Sequence, residues 1–431
     1  MSAIAVVGSG YVGLTTAGCF ARLGHDVVCG DVDGEKVARL SKGEVPILEE
    51  GLPSLVTEGL ASRRLTFVVG AAEAARTAEF VFLCVQTPQG PDGRADMSFV
   101  EDVVREIAPV LRPGSVVITK STVPVGSTAF VERLLVESGV PADSVGVASN
   151  PEFLREGTAV RDFLQPDRVV IGCQDTAVAV RVSELYRKLQ APILVTDAAS
   201  AELIKYASNA FLATKVSFIN EIANLCEAVS ADVREVALGI GYDPRIGFEF
   251  LHPGPGFGGS CLPKDVAALL HRSGEAGYDF RLLAAVADVN QLQYQRVVDK
   301  IRGALGGELR GAQVGLWGLT FKANTDDVRD SPALAVASSL TAEGAGVRAY
   351  DPVAGEQARA RVPDLEVVPD PYDACAGADV VAVLTEWDEF RWLDFARVSE
   401  LMRARRIVDA RNLLDPAAMR KRGFSYQGRG R

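Results

Sequence analysis

The sequence predicts an α/β fold made of two Rossmann-like, doubly wound parallel-sheet domains joined by a long central helix. Short apolar runs alternate with amphipathic stretches from the N-terminus to Thr196, and the same alternation returns after a Gly-rich stretch at Gly303–Gly311. Between them, Asp197 to about Ser230 contains neither Pro nor Gly and reads as one continuous helix. Alternation of strand and helix calls for a mainly parallel sheet, with ligands received at the carboxyl ends of the strands. A chain of 431 residues also exceeds what a single hydrophobic core usually organises.

In chain order, Ile4–Val7, Val27–Gly30, Phe80–Val85, Val116–Thr119, Val145–Ala148, Val169–Gly172 and Ile193–Val195 are the expected buried strands of the first domain. The central helix follows. Beyond Gly239 the chain turns loop-like through Pro253-Gly254-Pro255-Gly256-Phe257-Gly258-Gly259, then helical from Pro263 to about Arg302. Val314–Leu316, Val347–Tyr350, Val380–Leu384 and Ile407–Asp409 are the strands expected of the second α/β domain. The resulting division is 1–196 for a nucleotide-binding domain, 197–302 for a helical dimerisation domain and 303–431 for a second sheet domain.

Composition excludes several classes. Hydrophobic residues at 48% and charged residues at 23% are globular values. A net charge of −11 leaves no basic footprint for nucleic acid. The short basic cluster Arg403 to Arg406 is expected to be a solvated helix face. No apolar stretch approaches the ~20 residues that span a bilayer, and the first residues run straight into a strand with no signal-peptide pattern, so no membrane association and a cytoplasmic location are expected. The seven cysteines are scattered and odd in number, which fits a reducing compartment. With three histidines and no paired ligand spacing, no metal site is expected.

Gly8-Ser9-Gly10-Tyr11-Val12-Gly13 follows a strand and opens a helix. Gly8, Gly10 and Gly13 permit the tight turn and the close backbone approach, and the helix N-terminus receives a pyrophosphate. Asp31 ends the second strand, where a carboxylate bonds the ribose hydroxyls and repels the extra phosphate of NADP. NAD is therefore the expected cofactor, with Lys36 one helical turn further on as an adenosine-side contact or a surface lysine.

Cys261 lies between Gly258-Gly259-Ser260 and Leu262-Pro263-Lys264-Asp265, and Pro263 suits a first helical turn. A thiol at a helix start beside Lys264 is favoured as thiolate and can attack a carbonyl carbon; the alternative is one more small buried residue. Asp265, one turn on, either orients a water or caps the helix. Lys205 and Asn209, four apart on the central helix, share a face. That face is either solvated surface or part of a site. Asn150-Pro151-Glu152-Phe153-Leu154-Arg155-Glu156-Gly157 places two carboxylates after a strand end, and Lys120-Ser121-Thr122-Val123-Pro124 offers hydroxyls at the same sheet edge.

Together these segments, with Phe321-Lys322-Ala323-Asn324-Thr325-Asp326-Asp327-Val328-Arg329, resemble the UDP-glucose/GDP-mannose dehydrogenase family over essentially the whole chain. The resemblance implies oxidation of a sugar C6 alcohol to a carboxylate with two NAD in succession, through a thiohemiacetal and a thioester on Cys261. It implies that Lys205 and Asn209 stabilise the developing oxyanion, and that Asp265, Thr122 and a water serve proton transfer, with the base left open between Asp265, Glu152 and a Lys205-bound water. It places the sugar nucleotide against Glu152, Phe153, Leu154, Arg155, Glu156, Lys205, Asn209, Phe250, Leu251, His252, Pro253, Gly254, Gly258 and Lys322. NAD contacts are implied for Val12, Asp31, Lys36, Thr87, Thr122, Glu156, Lys264 and Arg329. Arg245 resembles the arginine that reaches a neighbouring subunit's substrate, which implies a homodimer through the central helices; a local ion pair is the other reading of Arg245.

After its first strand the C-terminal domain has Gly315-Leu316-Trp317-Gly318-Leu319-Thr320-Phe321-Lys322, not a complete second fingerprint, so it looks like the UDP-binding half. Thr385-Glu386-Trp387-Asp388-Glu389-Phe390 and Gly423-Phe424-Ser425-Tyr426-Gln427-Gly428 look more like UDP-glucose members than GDP-mannose members. A GDP-mannose or UDP-N-acetylhexosamine enzyme with the same chemistry is the alternative. A two-electron hydroxyacid dehydrogenase needs no nucleophilic thiol, and a catalytically silent NAD sensor needs no Lys205, Asn209, Cys261 and Asp265 set.

Overall fold

The computed structural model describes residues 1–90 and 93–431. The chain forms two compact units, Met1–Ser208 and Asn209–Arg431, and the boundary falls inside the central helix Ala198–Val229.

The first unit holds a sheet of β1 (Ala3–Val7), β2 (Asp26–Asp31), β3 (Leu65–Val69), β4 (Phe80–Leu83), β5 (Val116–Thr119), β6 (Gly146–Ser149), β7 (Val169–Gly172) and β8 (Ile193–Thr196). Their order is β3-β2-β1-β4-β5-β6-β7-β8. Alternate residues serve opposite faces: Ile4, Val6, Phe82 and Ile118 belong to one core, Ala5, Val7, Val81, Leu83 and Val117 to the other. Burial on both faces is why β1, β4, β5 and β7 read as unbroken apolar runs; β8, expected as a buried strand, is instead exposed at Ile193, Leu194 and Val195, as the outer strand of the sheet. β3 escaped the sequence reading because it is an edge strand: Leu65 and Phe67 are buried while Thr66 and Val69 face outward. The sheet is parallel through β6, but β7 meets β6 antiparallel at Ser149 and Gly172, and β8 runs parallel to β7.

The second unit holds β9 (Gln313–Trp317), β10 (Gly346–Tyr350), β11 (Glu366–Val367), β12 (Val380–Val383), β13 (Arg406–Asp409) and β14 (Ser425–Gln427), ordered β11-β10-β9-β12-β13-β14. The six pair in parallel. This order repeats that of β3-β2-β1-β4-β5-β6, so each sheet has its topological switch point between its first and fourth strands. The run expected as one helix from Pro263 to Arg302 is two, Leu262–Glu275 and Arg281–Leu305. Gly277, at φ +73, ends the first of them, and Tyr278 N–H closes back on the Ser273 carbonyl at 2.8 Å. Arg403 to Arg406 is not a helix face: the helix Phe395–Leu401 has already ended, Arg403 pairs with Asp379 at 3.0 Å and Arg406 opens β13.

No helix among the described residues is long and apolar enough to cross a membrane.

Candidate active site

At the head of β1, Gly8 takes φ +97, and a Cβ there would stand 2.7 Å from the Cys84 carbonyl oxygen. A Cβ on Gly13 would stand 1.8 Å from the Gly8 carbonyl oxygen, so helix Tyr11–Arg22 presses directly on the turn. Gly10 differs, because a Cβ there would meet nothing within 4 Å. Gly10 is also the N-cap and, lacking a side chain, makes no side-chain cap bond to the first turn. The open approach at a helix N-terminus, where the first-turn N–H groups have no partner within the helix, suits a pyrophosphate. Val12 packs back against the core beneath.

Asp31 Oδ2 accepts from Ser9 N–H at 2.8 Å and from the Ser9 hydroxyl at 2.5 Å, and pairs with Lys36 Nζ at 3.2 Å. Burial pushes the carboxyl up, but the Ser9 hydroxyl, the Asp33 and Ser9 N–H groups and the Lys36 ammonium outweigh it and hold it down at about 2. A permanent carboxylate at this place fits the dihydroxy ribose of NAD and disfavours a phosphorylated one. The part of Ser9 in holding Asp31 gives no signal in the sequence, because Ser9 occupies a variable position between the fingerprint glycines.

Across the same sheet edge, the Thr87 hydroxyl donates to the Thr122 carbonyl at 2.8 Å and ties together two expected cofactor contacts. Ser121 does not present its hydroxyl outward as the sequence reading expected, since it donates to the Val85 carbonyl at 2.5 Å. Lys120 is buried, with its ammonium 3.1 Å from Asn150 Oδ1 and 5.7 Å from the Phe163 ring centroid. Burial lowers its pKa to about 8.

Glu152 Oε1 and Lys205 Nζ form an ion pair at 2.8 Å, each side chain 5% exposed. Lys205 is therefore no solvated surface lysine. Burial alone would raise the Glu152 carboxyl; Lys205 and the Leu154 N–H overcome that and hold it below the ordinary carboxylate range. The Phe153 ring lies under both Lys205, at 5.5 Å, and Arg168, at 3.5 Å. Leu154 packs on the core, Arg155 is bound to Asp162 at 2.7 Å, and Glu156 is partly buried.

In the second unit, Cys261 is the N-cap of helix Leu262–Glu275, with Pro263 in its first turn. It is the one cysteine of the seven that is not buried, and its sulfur lies 3.5 Å from the Ser260 hydroxyl. Asp265, 1% exposed, accepts from Asn209 Nδ2 at 2.6 Å and from Lys264 Nζ at 2.6 Å. Lys264 is thus the ion-pair partner of Asp265. Gly258 and Gly259 are required by packing: Cβ atoms there would stand 2.2 Å from the Asp330 carbonyl oxygen and 2.8 Å from the Phe321 ring.

Phe250 takes a left-handed backbone, φ +64, uncommon for a bulky residue. The turn it makes carries Leu251, His252 and Pro253 into a cavity of about 490 Å³, lined also by Arg234, Arg391, Arg411 and Glu386. Gly254 N–H donates to Asn220 Oδ1 at 2.8 Å, which fixes the end of the turn. Arg411 is braced on the Phe321 carbonyl at 2.6 Å and the Leu384 carbonyl at 2.9 Å, and pairs with Glu386 at 3.0 Å. Arg411 carries one signal in the sequence, its place two residues beyond the carboxyl end of β13. Lys322 sits 5.6 Å over the Phe321 ring. Arg245 and Arg329 each fork onto a carboxylate two residues upstream, Asp243 at 2.6 Å and Asp327 at 2.7 Å.

The second sheet repeats the acidic residue at the end of its second strand, but not its availability. Asp351 accepts from the N–H groups of Leu319 at 2.7 Å and Thr320 at 3.1 Å, and Trp387 Nε1 donates to it at 3.2 Å. A carboxylate capped by an indole has no room for a ribose.

Three family models match in sequence order: the NAD binding domain of the UDP-glucose/GDP-mannose dehydrogenase family over residues 2–190, its central domain over 199–292 and its UDP binding domain over 315–416. The UDP-glucose 6-dehydrogenase of Rhizobium meliloti is 48% identical over 99% of both chains. That of Pseudomonas aeruginosa is 45% identical over 99% of this chain and 97% of its own. Among solved structures, a UDP-glucose dehydrogenase from Pyrobaculum islandicum is 40% identical with a TM-score of 0.92, covering 99% of this chain and 97% of that one. A UDP-D-ManNAc dehydrogenase from Pyrococcus horikoshii is 30% identical with a TM-score of 0.88 over 99% of both. With NAD-binding, central and UDP-binding parts all present and similarity running end to end, the chain belongs to the UDP-glucose/GDP-mannose dehydrogenase family.

Proposed function

We propose that the chain oxidises the C6 alcohol of UDP-glucose to the carboxylate of UDP-glucuronate, with NAD accepting the hydride of each of the two oxidations. The observation that carries this reading is a thiol, Cys261, at the first turn of a helix and one turn from a buried carboxylate that binds Asn209. A simple alcohol dehydrogenase has no use for such a thiol. The UDP-glucose assignment is supported by relatives of that name matching over nearly their whole length.

In the first oxidation the C6 hydroxyl loses its proton as hydride leaves the carbon. The Cys261 thiolate adds to the aldehyde and gives a thiohemiacetal, which keeps the aldehyde from escaping. Loss of a second hydride leaves a thioester, and water cleaves it to the acid and the thiol. Lys205 supplies a fixed cation for the oxygen on C6, and Asn209, one turn along the same helix, an amide donor. Of the candidate bases we assign Asp265 to the proton transfers, with Thr122 orienting the water. Glu152 pairs with Lys205, and we assign it to anchoring that ammonium.

The cavity beside Leu251–Pro253 receives the nucleotide, with Arg234, Arg391 and Arg411 as its cations. Phe211, Phe218, Leu225 and Val229, exposed by 65%, 51%, 56% and 62%, follow a spacing that keeps them on one face of the central helix. We assign that face to a second copy of the chain, and Arg245, whose side chain is 87% exposed, to the partner's substrate. The absence of any disulfide among the seven cysteines supports a reducing, cytoplasmic setting.

The test is initial-rate NADH formation with UDP-glucose, GDP-mannose, UDP-N-acetylglucosamine and UDP-N-acetylmannosamine. A kcat/KM for UDP-glucose at least tenfold above the others supports the assignment. Preference for an N-acetylhexosamine would move the chain to the sister activity with the same chemistry.

A further inference from the structure

Tyr11 stands within the dinucleotide turn and is the first residue of helix Tyr11–Arg22. Its hydroxyl donates to Glu49 Oε2. Glu49 belongs to neither of the segments so far described; it lies in the connection ahead of helix Leu52–Ala61 and is only 4% exposed. The same Oε2 accepts from Gly157 N–H at 2.7 Å, the Gly157 N–H also points at the Tyr11 hydroxyl at 2.6 Å, and Glu49 Oε1 accepts from Val160 N–H at 3.3 Å. These donors to Glu49 are neutral: a phenol and backbone amides. Burying a carboxylate among neutral donors is costly unless every lone pair is used, so an apolar residue would close the same space more cheaply. The arrangement joins two particular pieces of chain: the turn built for a pyrophosphate, and Gly157, which closes the segment Glu152–Glu156.

We infer that Tyr11 and Glu49 are positioning residues that lock the Glu152–Gly157 segment to the dinucleotide turn, so that a cofactor seated on the turn orders the segment that carries Glu152. The inference rests on the proposed assignment of Glu152–Glu156 to the sugar nucleotide. A dinucleotide that immobilises the first turn of helix Tyr11–Arg22 immobilises the Tyr11 hydroxyl, hence the Glu49 carboxylate, hence the Gly157 and Val160 amides. Hydride transfer needs donor carbon and acceptor held in register, and this tie sets the register from the cofactor side. Glu49 acts through Gly157 and Tyr11, and touches neither substrate nor cofactor.

Hydrogen exchange on the full-length chain at saturating NADH, with no sugar present, tests this. In the wild-type protein NADH is expected to slow exchange over residues 154–160 by about tenfold, within the usual range for coupling between sites, as well as over residues 8–14. In Tyr11→Phe, which removes one oxygen atom, residues 8–14 remain slowed by NADH while the effect on 154–160 falls below twofold. Glu49→Gln is expected to do the same, and its KM for UDP-glucose should rise more than its KM for NAD. Slowing of 154–160 that persists in both variants, or is missing in the wild type, overturns the tie. Because the exchange readout contains no sugar, a wrong sugar assignment changes the kinetic result and leaves the exchange result standing.

Discussion

Asn209 Nδ2 donates to Asp265 Oδ2 at 2.6 Å while Lys264 Nζ holds Oδ1 at the same distance, so both oxygens of a nearly inaccessible carboxylate are fixed. Asp265 N–H in turn closes on the Cys261 carbonyl at 3.0 Å, which sets the carboxylate one turn from the thiol. Asp265→Asn keeps the shape, removes the proposed base and replaces one of the two accepting oxygens by an amide donor. We expect kcat to fall by about 10²–10⁴-fold with KM for the sugar nucleotide little changed, the range for loss of a positioned acid or base. Steady-state kinetics checks this, and a fall in kcat below tenfold would remove Asp265 from the proton transfers.

Gly10 and Gly13 should behave oppositely although they belong to one fingerprint. Gly10→Ala adds a methyl where no protein atom stands within 4 Å, at φ −72, so the thermal midpoint should move little while NADH affinity falls by at least tenfold. Gly13→Ala puts a methyl 1.8 Å from a backbone oxygen, so the fold itself should suffer. Thermal melts beside NADH titrations separate the two effects.

Lys120 carries a stability cost that depends on pH. Burial lowers its folded pKa from 10.5 to about 8, so between those values the unfolded chain binds more protons and stability rises with pH. The cost is fully present at pH 7 and amounts to about 3 kcal/mol at 1.36 kcal/mol per unit. Lys120→Met should therefore compare more favourably with the wild type at pH 7 than at pH 10.5, by about that amount in urea unfolding. An equal difference at both values would mean that Lys120 is not desolvated.

What could be read from the sequence was set by how burial is distributed. Strands buried on both faces, such as Phe80–Leu83 and Val116–Thr119, appear as unbroken apolar runs, whereas the edge strands Leu65–Val69, Glu366–Val367 and Ser425–Gln427 carry polar residues that interrupt the pattern; the edge strand Ile193–Thr196 was legible because its exposed residues are themselves apolar. Gly277 inside an amphipathic run gave no sign that it ends a helix, because the turn depends on its positive φ. The order of strands, including the reversal at β7, is a tertiary fact that periodicity does not carry. In the candidate site, Asp31 was legible from its distance to the fingerprint, whereas spacing alone left Cys261, Asp265 and Asn209 with a structural alternative each and the resemblance to the family singled them out. Ser9, Glu49 and Arg411 were not, since each acts through a partner distant in sequence: Asp31, Gly157 and the Phe321 carbonyl.

In the proposed reaction Cys261 divides a four-electron oxidation into two steps. Its most direct test is the amount of NADH formed from limiting UDP-glucose, measured for the wild-type protein and for Cys261→Ser. Two NADH per UDP-glucose and release of UDP-glucuronate are expected of the wild type, with the variant stalled before the acid is released. One NADH per UDP-glucose from the wild type, or a Cys261→Ser variant that releases the acid at the wild-type rate, would contradict it.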